Sequence, residues 1–208
     1  DFDTALHDLV VREFRTHKRI IFDGNGYSED WKKEAAKRGL SNLATTPEAM
    51  GSFLSKKNID LVTKHRIFTE AEFRARCEIQ LETYIKTINI EALTSMDMIR
   101  HQILPAAMKY TELLTRGILN KKELGITCRA ERNLVRRLSD ACDKLYDLCE
   151  KLGEDLKKVP ADTGKAAAYY GSVIVTDMAK AREQADILES LTDKSLWPYP
   201  TYSDLLFY

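Results

Sequence analysis

The chain has 208 residues, enough for one or two domains with a sizeable core. Its 32 basic residues balance 32 acidic ones, which argues against nucleic acid or an anionic membrane as partner, and no apolar run approaches the ~18 residues needed to span a bilayer. No signal-peptide pattern opens it, so it reads as soluble, intracellular and cytoplasmic; its start at Asp1, inside an apolar helical period, reads as a fragment of a longer protein.

Phe2, Ala5, Leu6, Leu9, Val10 and Phe14 recur at helical spacing and predict an amphipathic helix that buries this stripe. "RIIF" then reads as one short buried strand, followed by the glycine turn "DGNGY". Ser28 is placed to cap a helix through about Arg38, with Gly39 as its stop. Thr46, Pro47 and Glu48 mark a second start, because proline at the first helical position forfeits no hydrogen bond. Ser55 opens a third short helix ending near His65.

"TEAE" at Thr69 is a capping box, and helical periodicity continues from it to about Arg116. Phe73, Cys77, Leu81, Tyr84, Ile88, Ala92, Met96, Ile99 and Ile103 form its stripe, and Pro105 is expected to kink or interrupt the rod. Leu134, Leu138, Ala141, Leu145, Leu148, Leu152 and Leu156 alternate three and four apart, the seam of an antiparallel bundle. Pro160 and Gly164 break that pattern, and a last long helix is predicted from about Lys165 to Leu191. The closing stretch "DKSLWPYPTYSDLLFY" is too aromatic for a disordered tail and not helical in pattern, so it is expected to dock on a surface.

The chemistry-bearing residues do not assemble into a known constellation. "DGNGY" resembles the middle of a calcium loop, with Asp23 and Asn25 as third and fifth ligands about Gly26. The ends would then be Ile21 and Lys32, which cannot bind a hard cation, so a glycine-permitted turn is the simpler reading. "DTGKA" lacks the first glycine and the final hydroxyl of a phosphate loop. Cys77, Cys128, Cys142 and Cys149 have no zinc spacing and read as packed, reduced thiols. His7, His17, His65 and His101 are scattered, with Asp97 one turn before His101, and Glu72, Glu78, Glu82 and Glu91 read as solvated helix faces. The basic runs at 17–19 and 136–137 read the same way.

"HKRIIFDGNGYSEDWKKEAAKRGLSNLATTPEAM" resembles the end of the catalytic domain of type III glutamine synthetases. "YIKTINIEALTSMDMIRHQILPA" is similar to the long helix that follows it in that family, and "DKSLWPYPTYSDLLFY" to the family's carboxyl terminus. Asp23, Tyr199 and Ser203 stand where that family commonly has Asn, Phe and Gly. The resemblance implies part of an ATP-dependent ligase that joins ammonia to glutamate through a γ-glutamyl phosphate. It also implies that the ATP and Mg2+ or Mn2+ sites lie upstream of Asp1, so no catalytic, cofactor-binding or metal-binding residue is assigned here.

The expected fold is mainly α: a bundle of three long antiparallel helices, one kinked at Pro105, preceded by short helices and one short strand. Residues 1–68 would be the tail of the catalytic domain with connecting helices, 69–194 the bundle and 195–208 the docking segment. The expected role is structural, with the catalytic domain of the same polypeptide and other subunits of a homo-oligomer as partners, and no nucleic acid or membrane. The alternatives are a free-standing helical adaptor that binds partner helices, and a calcium-responsive module.

Overall fold

Several helices in this chain begin where a side-chain oxygen accepts one of the amides that the first turn leaves unbonded. The computed structural model describes residues 1–206 and divides into two compact units, the first being Asp1–Ala44. In it α1 (Phe2–Thr16) starts at Asp1, whose Oδ1 accepts from the Asp3 amide at 3.4 Å. Contrary to the expected burial, none of α1 is buried, and Phe2 and Phe14 are 76% and 63% exposed. A stripe needs an apolar surface opposite it, and the 44-residue unit supplies none.

The expected strand is also absent: no strand occurs among the described residues, and Lys18–Ile20 form a single 3-10 turn with Ile21 extended after it. So short an apolar run becomes a strand only when another strand completes its hydrogen bonds. Here Arg38 substitutes for that partner by donating from Nη1 to the carbonyls of Arg19, at 3.1 Å, and of Ile21. Phe22 packs on Trp31 with ring centroids 4.6 Å apart. Ser28 caps α2 (Glu29–Lys37) by accepting from the Trp31 amide, and Gly39, at φ 72°, ends it.

The second unit begins at Thr45, the N-cap of α3 (Thr46–Phe53), where Glu48 completes a capping box. After α4 (Lys56–Lys64), Thr69 and Glu72 form the box that opens α5 (Glu70–Met98). α5 passes through a π turn (Ile99–Ile103) into α6 (Leu104–Glu123), so helix persists beyond Arg116. Pro105 neither breaks the rod nor stands alone in it. It occupies the first turn of α6, directly after the widened turn in which the Leu104 amide donates to the Ile99 carbonyl.

Next come α7 (Arg129–Leu156), α8 (Thr163–Tyr169), a second π turn (Tyr170–Ile174) and α9 (Val175–Leu191). α7 packs against both α6 and α9, and α5 packs against α8. Leu138, Leu145 and Leu152 of α7 are fully buried, as are Ala92, Ala107, Ala167, Ile174 and Leu188 of the neighbouring segments. Close approach is tuned by glycine: a Cβ at Gly153 would stand 3.1 Å from Met96 Cε, and one at Gly171 would stand 3.2 Å from the Tyr84 hydroxyl. At the far end of α5, Phe73 stacks on Phe53 at 4.5 Å and Cys77 lies beside the Met50 carbonyl.

The end of the chain is more helical than its pattern suggests, with α10 at Tyr202–Leu206. Thr201 and Asp204 make a capping box: the Thr201 amide donates to Asp204 Oδ2 at 3.0 Å and the Asp204 amide to Thr201 Oγ1 at 3.4 Å.

Leu145→Ala should destabilise the protein by ~3 kcal/mol in urea titration, because it opens a cavity in a rigid seam. Ile90→Ala, on the same unit but 63% exposed, should stay within ~0.5 kcal/mol.

Candidate functional site

Two buried carboxylates on neighbouring helices are the usual raw material of a metal or acid–base site, and α7 and α9 supply one such pair. Asp155 lies in the last turn of α7 and Asp177 in the first turn of α9, with side chains only 10% and 3% exposed. Lys151 closes the gap between them, its Nζ 2.6 Å from Asp155 Oδ2 and 2.5 Å from Asp177 Oδ2. Lys158 donates to the other oxygen of Asp155 at 2.7 Å, and the Tyr169 hydroxyl donates to the Asp155 backbone carbonyl at 3.1 Å. Hydrogen bonds from Lys151 and then Lys158 hold the Asp155 carboxyl far below the usual carboxylate range.

This arrangement is an ionic clasp. An ammonium already sits where a divalent ion would need to sit, and both lysine stems reach solvent while the acids do not. Among the described residues no group of three or more His, Cys, Asp or Glu is arranged to hold a metal. At this pair the residues present do not fit a divalent metal.

The other residues singled out by sequence do not converge. Asn25 closes an Asx turn, its Oδ1 accepting from the Tyr27 amide at 3.0 Å and its carbonyl from the Ser28 hydroxyl at 2.8 Å. Lys32 pairs with Glu29 rather than approaching Asp23. In "DTGKA", Asp162 caps α8 by accepting from the Lys165 amide at 2.9 Å, so a carboxylate of the chain itself takes the position a phosphate would need. His101 and Asp97 lie 3.7 Å apart on an exposed face. Glu72 serves its capping box and Glu82 pairs with Lys86.

All four cysteines are buried and free. Burial pushes the Cys142 thiol up to about 11 and raises Cys149 and Cys77 as well, the Arg100 guanidinium only partly opposing the effect at Cys149. A raised thiol disfavours the nucleophilic thiolate at Cys77, Cys142 and Cys149.

A concavity of about 220 Å³ lies where the tail crosses the bundle and is lined by Met98, Ile103, Ala185, Trp197, Tyr199, Pro200 and Leu205 together with the charged Arg182, Asp186 and Glu189. Trp197 and Tyr199 pack against the core, and their Nε1 and hydroxyl are buried without a hydrogen-bond partner among the described residues. Burial, and then the nearby charge of Asp97, raises the Tyr199 phenol above its ordinary value. The lining offers shape but no nucleophile with a base beside it.

Sequence patterning found the caps, yet it missed the clasp. The i,i+4 spacing of Lys151 and Asp155 was visible, but Asp177 is 26 residues from Lys151 and only the pairing of α7 with α9 brings it in.

Lys151→Ala leaves the buried Asp177 carboxylate without its ammonium and Asp155 with Lys158 alone, and should cost on the order of 2 kcal/mol, below the ~3–5 of a wholly buried pair because the lysine is half exposed. The depressed Asp155 carboxyl contributes stability that is complete above its unfolded value near 3.9 and is lost as pH falls through its lower folded value. Acid titration of helicity should therefore show the mutational penalty of Lys151→Ala shrinking below about pH 4.

Comparison with known proteins agrees with an assignment that no single side chain would support. A family model described as "Glutamine synthetase C-terminal domain" matches residues 5–122. A glutamine synthetase of Butyrivibrio fibrisolvens is 40% identical over 206 residues, covering 97% of this chain and 29% of that protein. A type-3 glutamine synthetase of Dictyostelium discoideum is 30% identical over 217 residues, covering 98% of this chain and 29% of its own length. A glutamine synthetase of Bacteroides fragilis is 29% identical over 214 residues, with 99% and 29% covered. The chain thus spans 29% of the length of each of these relatives.

Proposed function

This chain belongs to the glutamine synthetase C-terminal domain family, and from that premise we propose that it is the helical end of a longer ATP-dependent glutamate–ammonia ligase. Its role there is to hold the catalytic region and neighbouring subunits in place, and it carries out no chemical step by itself. Glutamine synthesis, ATP and Mg2+ or Mn2+ belong, in this reading, to polypeptide that the relatives possess beyond the matched 29%. Residues 1–68 then connect to the catalytic domain, 69–194 form an antiparallel bundle of three long rods, and 195–208 dock the tail. No helix among the described residues is long and apolar enough to cross a membrane, which suits the cytoplasmic setting proposed for the ligase.

The observation that carries this reading is α1. Its Phe2, Leu6, Leu9, Val10 and Phe14 are all solvent-exposed, although their spacing is that of a core-facing stripe. Upstream polypeptide of the same ligase is the occupant that such a stripe calls for. The lysine-filled carboxylate pair and the buried thiols leave this chain with scaffolding rather than catalysis to contribute.

Incubating this chain with ATP, glutamate, ammonia and Mg2+ should yield no glutamine above background, and measurable turnover would contradict the proposal. In the full-length ligase, Leu6→Asp combined with Val10→Asp should lower assembly and activity together. Unchanged activity in that double variant would show that α1 covers nothing.

A further inference from the structure

One face of α7 carries its charges in an order that stability of the isolated helix does not favour. Arg129, Arg132 and Arg136 are followed on the same stripe by Asp140, Asp143 and Asp147, at spacings of three and four, and all six are exposed. At 3.6 residues per turn these positions, with Glu150 and Glu154 beyond them, fall within a sector about 80° wide. That sector lies opposite the buried Leu138, Leu145 and Leu152. Basic groups therefore stand at the positive end of the helix dipole and acidic groups toward the negative end, the reverse of what the dipole stabilises. Like charges also meet at i,i+4, as Arg132 with Arg136 and Asp143 with Asp147. None of the six makes an ion pair among the described residues, while Glu150 and Glu154 pair with Arg100 and Lys157 on the surface.

We propose that this stripe is a self-complementary interface through which α7 pairs antiparallel with α7 of a second copy of the chain. The charge order supplies the argument. In one antiparallel register, Arg129 faces Glu150, Arg132 faces Asp147 and Arg136 faces Asp143, and the two-fold axis repeats each pairing. Asp140 of the two copies then lies beside the axis on one edge of the interface, each with Arg136 of the other copy within one turn. The two helix dipoles oppose each other, and each basic end lies over the partner's acidic end. A nucleic acid would suit only the arginine half and would be repelled by the aspartates. This names a contact surface for the assembly role proposed above, but its test does not depend on ligase activity.

Sedimentation velocity of the chain should show a dimer at about 10 mM salt, where the screening length is ~30 Å, that dissociates toward 1 M, where it is ~3 Å. Arg132→Glu with Arg136→Glu should abolish it, as should Asp143→Arg with Asp147→Arg, with helical circular dichroism unchanged because every site is exposed. Mixing the two double variants should restore a one-to-one dimer, since the new glutamates of one face the new arginines of the other. A wild-type monomer at low salt would overturn the proposal. So would association that survives either double variant or high salt, which points to the α1 stripe, and so would failure of the mixture to pair. Absence of glutamine formation, or its presence, bears only on the ligase reading.

Discussion

Everything in the larger unit is arranged around the burial of one helix from several sides. α7 inserts Leu138, Leu145 and Leu152 where α6 and α9 both reach it, and water touches none of the three. Burying a leucine contributes ~2 kcal/mol only if the neighbours close in without a void. That requirement explains the small residues beside the seam. Ala92, Ala107, Ala167 and Ala181 let the backbones approach, and Gly153 and Gly171 leave room for the Met96 methyl and the Tyr84 hydroxyl.

Hydrophobic burial alone does not select a register, since a one-turn slide of α9 along α7 would still bury leucine and alanine. The Lys151 clasp discriminates. A slide would separate Asp177 from its ammonium and leave a 2%-exposed residue charged and unpaired. The Tyr170 hydroxyl, donating to Asn89 Oδ1 at 2.9 Å, does the same between the second π turn and α5. Polar groups inside this bundle thus specify alignment, and no catalytic demand is needed to account for them. α1 presents the opposite case: apolar residues at correct spacing, with no surface in its unit to bury them.

Much of this was legible in the sequence because helix ends and seams are local. The Ser28 cap, the Thr69 box and the leucine alternation of α7 each lie within a few residues, so spacing alone locates them. "RIIF" misled because three apolar residues have no diagnostic period, and strand formation depends on a partner that only the fold reveals. The π turns at Ile99–Ile103 and Tyr170–Ile174 were invisible for a related reason: side-chain chemistry there is ordinary, and packing decides the extra residue per turn. The "TYSD" box that starts α10 was readable but was masked by the prolines before it. Of the candidate site, Lys151 and Asp155 show in the spacing while Asp177 does not, because long-range pairing is set by tertiary register.

A chain organised this way has a graded stability, with a seam that opens only on global unfolding and a first helix that has no core of its own. Native-state amide hydrogen exchange across the whole chain tests that gradient most directly. Amides around Leu138 to Leu152 should exchange last, at the rate of global unfolding, while those of Phe2 to Phe14 exchange orders of magnitude sooner. Equal protection of α1 and α7, or early exchange in the α7 seam, would contradict the account.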